Sequence, residues 1–186
     1  MFGWLTQLKK RILQKISFKA LPICLCLLLV IQSVYSQEKV EDELRKKVEE
    51  AAAGLDVPAP DPFSPVSVKA GTVWSDDKKQ LALIMKVEVL ENWHIYALVP
   101  PDQPYIQSEL RLLPPDGLTP LEKWETPVPY AYGDGIFVYK GSLLFIHYFS
   151  VKKTVDNKTL EAGLYYQTCD FNQCLPPELE MIKLAL

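Results

Sequence analysis

The chain is 186 residues long, with 20 Lys and Arg against 23 Asp and Glu and a net charge of −3. That length holds one ordinary domain plus accessory segments. The acidic balance lacks the electrostatic footprint of a nucleic-acid binder. Four cysteines and two distant histidines, His94 and His147, do not make the spacing of a zinc site, so neither a metal nor another cofactor is expected.

Residues 1–36 carry Lys9, Lys10, Arg11, Lys15 and Lys19 without an acid, then the apolar run "LPICLCLLLVI", then "QSVYSQ". This is the order of a secretory signal peptide, with Val34 and Ser36 at −3 and −1 of a cut before Gln37. An uncleaved segment would instead anchor the chain in a membrane. The run from Leu21 to Ile31 is about half of the roughly 20 residues that a span requires, which favours cleavage and no membrane span afterwards. Ile23 is bulkier than the small residue a lipoprotein cut before Cys24 would need. Cleavage removes Cys24 and Cys26, retains Cys169 and Cys174, and leaves 15 basic residues against 23 acidic ones, about −8. Export places the retained pair in an oxidising compartment, where a disulfide persists.

Residues 37–64 read as a charged helix and a proline-rich linker. "EKVEDELRKKVEEAAAGL" (38–55) spaces Val40, Leu44, Val48, Ala51 and Leu55 by three or four, with Gly54 as a stop. So thin an apolar stripe suits a solvated spacer better than a partner-docking helix. "DVPAPDPFSP" follows, with four prolines in ten residues, and disfavours both helix and central strand.

The folded domain is expected over 65–186, and its pattern is β. Candidate strands are Val66–Trp74, Gln80–Leu90, Trp93–Leu98, Tyr105–Leu113, Ile136–Tyr139, Ser142–Phe149, Thr159–Thr168 and Glu178–Leu184, separated by "SDDKK", "PPDQP", "PPDG", "YGDG" and "VDNK". In "LALIMKVEV", Leu81, Leu83, Met85, Val87 and Val89 share one face. About eight short strands without a helical period point to an all-β, two-sheet sandwich. The proline-rich connection from Pro114 to Gly135 is long for a turn, and long loops on a rigid sandwich are often functional.

"YYQTCDFNQCLPPE" (165–178) holds the retained cysteines, four residues apart. That spacing suits a hairpin whose flanking positions oppose each other, at Cα separations of about 4.5 or 5.5 Å that admit a disulfide. A loop of about six residues stabilises by only about 2 kcal/mol and ties no sheet to another. Geometry alone therefore leaves a hairpin staple and a redox pair both open. Neither cysteine has a neighbouring Lys, Arg or His, and Asp170 disfavours a thiolate, so a redox pair here would be attacked by another protein's thiolate. Cys169 ends a strand and is expected to be the more buried sulfur. Cys174 precedes Leu175, Pro176 and Pro177, which leave its side open.

The segment resembles the active-site region of the N-terminal periplasmic domain of the thiol:disulfide interchange protein DsbD. Tyr166, Gln167, Cys169, Cys174, Pro176, Pro177 and Glu178 carry the likeness. "NWHIYA" is similar to the family's aromatic strand facing the disulfide, and "PYAYGDGIFVYKG" to its cap loop and the strand after it. The resemblance spans 65–186. It implies an immunoglobulin-like sandwich in the periplasm that takes electrons from a thioredoxin-like donor and passes them to periplasmic thiol:disulfide proteins. Carried over, Cys174 forms the mixed disulfide and Cys169 resolves it, with Tyr166 and Gln167 beside the pair. Tyr96 matches an active-site tyrosine, and His94 stands where another is expected. In the cap loop Tyr132 and Gly133 align, Ala131 replaces the shielding aromatic, and Tyr130 is the candidate to cover the bond. The family continues into a membrane domain and a thioredoxin-like domain, so here a separate donor protein is expected. The alternative is a non-catalytic immunoglobulin-like binding domain with a structural hairpin bridge.

Overall fold

Alternation of apolar and polar residues dominates the chain after residue 65, and the structure, a computed structural model, turns it into sheets. The structure describes residues 39–186; the signal-peptide segment, with Cys24 and Cys26, lies outside them. In chain order the described elements are α1 (Asp42–Gly54), β1 (Val66–Trp74), β2 (Gln80–Val89), β3 (His94–Leu98), β4 (Glu109–Leu113), β5 (Leu118–Pro120), β6 (Tyr130–Gly133), β7 (Ile136–Tyr139), β8 (Ser142–Val151), β9 (Thr159–Tyr166), β10 (Thr168–Cys169) and β11 (Glu178–Ala185). All named strand pairs are antiparallel.

One layer is the sheet β1-β2-β8-β5; the other is divided into β11-β9-β4 and β10-β3-β7-β6. The division falls at Gln167, where β9 stops pairing with β11 and β10 takes up β3. Between the layers, Leu81, Leu83, Met85 and Val87 of β2 meet Leu143, Phe145 and Phe149 of β8 and Leu160, Ala162, Leu164 and Tyr166 of β9. Ile95 of β3 joins the same core. Side chains alternate along a strand, so the opposite face of β3 carries His94 and Tyr96. This is the all-β, two-sheet sandwich that the strand pattern called for.

The helix stripe is not solvated. Val40, Leu44, Val48 and Ala52 are buried against Ala82 and Ile84 of β2 and Ile146 and Tyr148 of β8. Burying each Val or Leu contributes about 1.5–3 kcal/mol, which stabilises a helix too short to persist alone in water. Polar contacts fix its register: Glu41 N donates to Gln80 Oε1, and Gln80 Nε2 donates to the Lys39 carbonyl, both at 2.9 Å. Arg45 pairs with Glu122 and Glu125 and lies 4.8 Å from the Tyr148 ring centroid. Lys86 Nζ donates to the Leu55 carbonyl at 3.0 Å, satisfying a group at the helix C-terminus. The solvated-spacer expectation is thereby corrected: α1 is a third layer over the outer face of the first sheet. Among the described residues, no helix is long and apolar enough to cross a membrane.

Two further differences bear on the site. The expected strand from Tyr105 becomes regular only at Glu109, because Tyr105–Ser108 is held by Gln107, bridged in parallel to Tyr96, and by Ser108 N, which donates to the Tyr96 carbonyl at 2.8 Å. The long connection 114–135 holds two short strands, β5 and β6. Gly133, Asp134 and Gly135 turn β6 into β7 with φ of 117°, 50° and 76°. This left-handed run favours glycine and makes the tight turn that sets β6 antiparallel beside β7, at the edge of the cysteine-bearing sheet.

Candidate redox site

The sheet β10-β3-β7-β6 buries one face in the sandwich core and presents the other to the site. That second face is built from Tyr96, Ile136, Val138 and Cys169, with Val99 and Tyr105 packed against them. The cysteine hairpin stands at one edge. Leu175 N donates to the Thr168 carbonyl and Asp170 N to the Gln173 carbonyl, both at 2.9 Å. The Asp170 carboxylate accepts from Asn172 N and Gln173 N at 2.7 Å each, an Asx turn that fixes the tip. Phe171, at that tip, is 95 % exposed.

Cys169 and Cys174 form a disulfide, as the hairpin reading required, with Cα atoms 4.0 Å apart, closer than the separation of about 4.5 Å expected from a directly opposed pair. The two sulfurs differ in surroundings. Cys169 is 2 % exposed, whereas Cys174 is an exposed residue. The Tyr96 hydroxyl lies 3.2 Å from Cys169 Sγ. The Tyr105 ring stacks on Tyr96 at 4.7 Å with an interplanar angle of 18°. His94 is the cross-strand partner of Cys169, and Thr168 Oγ1 donates to the His94 carbonyl at 3.1 Å, holding the two strands in that register.

His94 is 4 % exposed, and its Nε2 has no hydrogen-bond partner among the described residues. Its ring meets Tyr96 edge-on at 5.2 Å and Tyr132 at 4.7 Å. Burial holds the imidazole below its ordinary pKa of 6.5, the Lys140 ammonium adds to that, and Asp170 opposes it. Burial raises the Tyr96 hydroxyl above its ordinary value of 10.0, with Tyr105 and Tyr132 reinforcing it. At neutral pH both groups are therefore uncharged. The inner cysteine faces a hydroxyl donor and an imidazole rather than a fixed charge.

The structure gathers Cys169, Cys174, His94, Tyr96 and Tyr132 into one cluster. Of the two tyrosines of β6, Tyr132 is the one whose ring meets His94, at an interplanar angle of 37°, with Lys140 Nζ 5.8 Å from its ring centroid. Tyr130 pairs in register with Val138 and is 60 % exposed. Gln167 serves the backbone around the site: its Oε1 accepts from Ile106 N at 3.1 Å and its Nε2 donates to the Leu175 carbonyl at 3.4 Å. Tyr166 faces the sandwich core, and its hydroxyl donates to Glu178 Oε2 at 3.1 Å. Tyr105 and Lys140 were not anticipated. Tyr105 reaches the site through the Tyr96–Gln107 bridge, a contact with no local sequence signal.

Cavities of about 510 Å³, among Trp74, Lys78, Val155 and Leu186, and about 320 Å³, among Pro58, Ser64, Tyr166 and Glu178, include neither cysteine in their walls. Cys174 is presented on a surface hairpin, an arrangement that suits another protein's thiol better than an enclosed small molecule.

No family model and no curated protein matches the chain. Among solved structures it is similar to the reduced N-terminal domain of DsbD from Neisseria meningitidis, with 13% identity over 56% of this chain and 76% of that one, at a TM-score of 0.38. It is likewise similar to the GAE domain of yeast GGA1, with 10% identity over 70% and 98% of the two chains at a TM-score of 0.40. The GAE domain of GGA2p from Saccharomyces cerevisiae gives 8% identity over 69% and 96%, also at 0.40. Likenesses of that size speak for neither a shared reaction nor a shared partner.

Proposed function

We propose that this protein is an exported thiol:disulfide interchange module, relaying electrons from a thioredoxin-like donor to periplasmic disulfide proteins through Cys169 and Cys174. One observation carries the reading: the disulfide is asymmetric, joining an exposed residue, Cys174, to a buried one, Cys169, which lies against the Tyr96 hydroxyl and opposite His94. Exchange requires an incoming thiolate to reach one sulfur in line with the bond, and requires the other sulfur to be a stabilised leaving group. A bridge that only pinned a hairpin would need neither. Export rests on the order of the first 36 residues.

The relay runs as two exchanges. A donor thiolate attacks Cys174 Sγ, the Cys169–Cys174 bond breaks, and its electron pair leaves on Cys169 Sγ, which accepts a hydrogen bond from Tyr96. The donor's second thiolate then attacks the donor sulfur of the mixed disulfide, releasing Cys174 as a thiolate and the donor as a disulfide. In the second exchange Cys174 attacks an acceptor disulfide. Cys169 then attacks Cys174 Sγ and expels the acceptor as a dithiol, closing the bridge. Two electrons pass in each exchange.

The test is a trapping experiment on the purified protein. The Cys169→Ser variant, activated as a mixed disulfide at Cys174, should capture a thioredoxin-like protein whose own resolving cysteine has been removed. The Cys174→Ser variant should do so much more slowly. Equal or reversed rates overturn the assignment. A reduction potential below about −300 mV would mark a structural bridge and favour a non-catalytic binding domain instead.

A further inference from the structure

We propose that the imidazole of His94 is the proton partner of Cys169: it takes a hydrogen bond from the Cys169 thiol in the reduced state and accepts that proton as the sulfur attacks in the resolving step. The inference rests on the interchange reading above and concerns a residue that reading leaves without a role.

Its ground is an unpaired atom. Buried polar groups are nearly always satisfied, and each exception calls for an explanation. His94 Nε2 is buried and unpartnered among the described residues while the bridge is closed. A closed bridge leaves Cys169 no proton to donate. Opening it creates an S–H on the residue directly opposite His94 in the antiparallel register. Directly opposed side chains have Cβ atoms about 4.5–5.5 Å apart, within reach of an imidazole and a thiol. Tyr96 marks the same spot, since its hydroxyl is 3.2 Å from Cys169 Sγ and its ring is 5.2 Å from that of His94.

The surrounding groups fit the role. Tyr96 faces the imidazole from β3 and Tyr132 from β6; Lys140 acts on it from the end of β7, and Asp170 from the hairpin. Burial, with Lys140 adding to it, keeps the imidazole neutral, so a lone pair is available at pH 7. In the resolving step the Cys169 proton passes to Nε2 as Sγ attacks Cys174 Sγ, and the electron pair of the mixed disulfide leaves on the acceptor sulfur. The imidazolium, disfavoured in its buried place, returns the proton to solvent. Opening the bridge reverses the bookkeeping, with the proton on Cys169 drawn from solvent. Because only the reduced state satisfies Nε2, His94 also biases the pair toward reduction.

The decisive measurement is the imidazole ¹⁵N spectrum of the unmodified protein at pH 7.5, before and after reduction by a phosphine. The His94 Nε2 signal should shift on reduction while those of His147, outside the site, stay put. An unmoved His94 signal overturns the proposal. Equilibration with glutathione supplies the second arm. His94→Phe should shift the equilibrium toward the disulfide by about tenfold, the effect of one buried hydrogen bond, and His94→Gln should recover part of the loss. Identical equilibria for the unmodified protein and His94→Phe also overturn it. Neither arm uses a protein partner. If no thioredoxin-like protein reduces the bridge but the His94 signal still moves, the contact stands and the interchange reading falls; normal exchange with a still signal removes the contact alone.

Discussion

Replacing Tyr96 by Phe removes one oxygen, placed 3.2 Å from Cys169 Sγ in a residue 1 % exposed. In the closed state that contact is weak, because a disulfide sulfur is a poor acceptor, and folding stability should change by no more than about 1 kcal/mol. The contact matters when the bond opens. Cys169 then carries negative charge, and a hydrogen bond to a charged group is worth about 1.5–3 kcal/mol. The leaving sulfur holds roughly half a charge in the transition state, so the barrier should rise by about 1–1.4 kcal/mol and opening should slow about fivefold to tenfold. The assay is reduction by dithiothreitol at pH 8, quenched with an alkylating agent and counted by mass. Because burial raises the Tyr96 hydroxyl above the ordinary 10.0, the donor survives at pH 9.5, and the ratio of rates should be the same there. Rates equal within twofold would refute the reasoning, as would a ratio that collapses at pH 9.5.

Three other expectations follow from the packing. Replacing both Cys169 and Cys174 by Ser should cost about 2–3 kcal/mol in urea unfolding, since the closed loop is short, and abolish exchange; failure to fold would return the bridge to a structural role. Leu44→Ala should cost about 3 kcal/mol, because Leu44 is 1 % exposed between α1 and the sheet, whereas an independent spacer helix would lose nothing or gain slightly. His147 is buried in the core between Trp124 and Phe149, both ring nitrogens are without a hydrogen-bond partner among the described residues, and burial holds its pKa below 6.5. The unfolded chain therefore binds protons that the fold excludes, and stability should fall as pH drops below about 6.5, at up to about 1.4 kcal/mol per unit for each such histidine. His147→Phe should flatten that decline, and a profile already flat between pH 5 and 7 would contradict it.

Much of the sandwich was legible because its strands alternate, and β1 and β7 fall where the pattern places them. Other parts depended on partners distant in sequence. Strands β5 and β6 are three and four residues long amid prolines, too short to show a period. The docking of α1 had an unread signal: in "LALIM", Ala82 and Ile84 are as apolar as their inward neighbours, and a strand apolar on both faces needs cover on both. At the site, the cysteine hairpin was readable from spacing. The orientation of Tyr166 was less so, because Gln167 lies where the chain changes sheets, and parity carried across it no longer tells which face a side chain takes.

The disulfide encloses only four residues, and the ladders around it belong to the backbone: Leu175 N to Thr168 O, Asp170 N to Gln173 O, and the β9–β11 register that begins at Tyr166 and Glu178. Breaking the S–S bond therefore frees no strand and lengthens no loop that the hairpin does not already hold. Reduction is accordingly expected to leave the backbone of the hairpin in place and to change only the oxidation state of the two sulfurs and the protons they carry. On the proposed interchange reading, a partner would tell the dithiol from the disulfide only by touching the sulfurs, so discrimination would come from reactivity within the encounter rather than from its affinity.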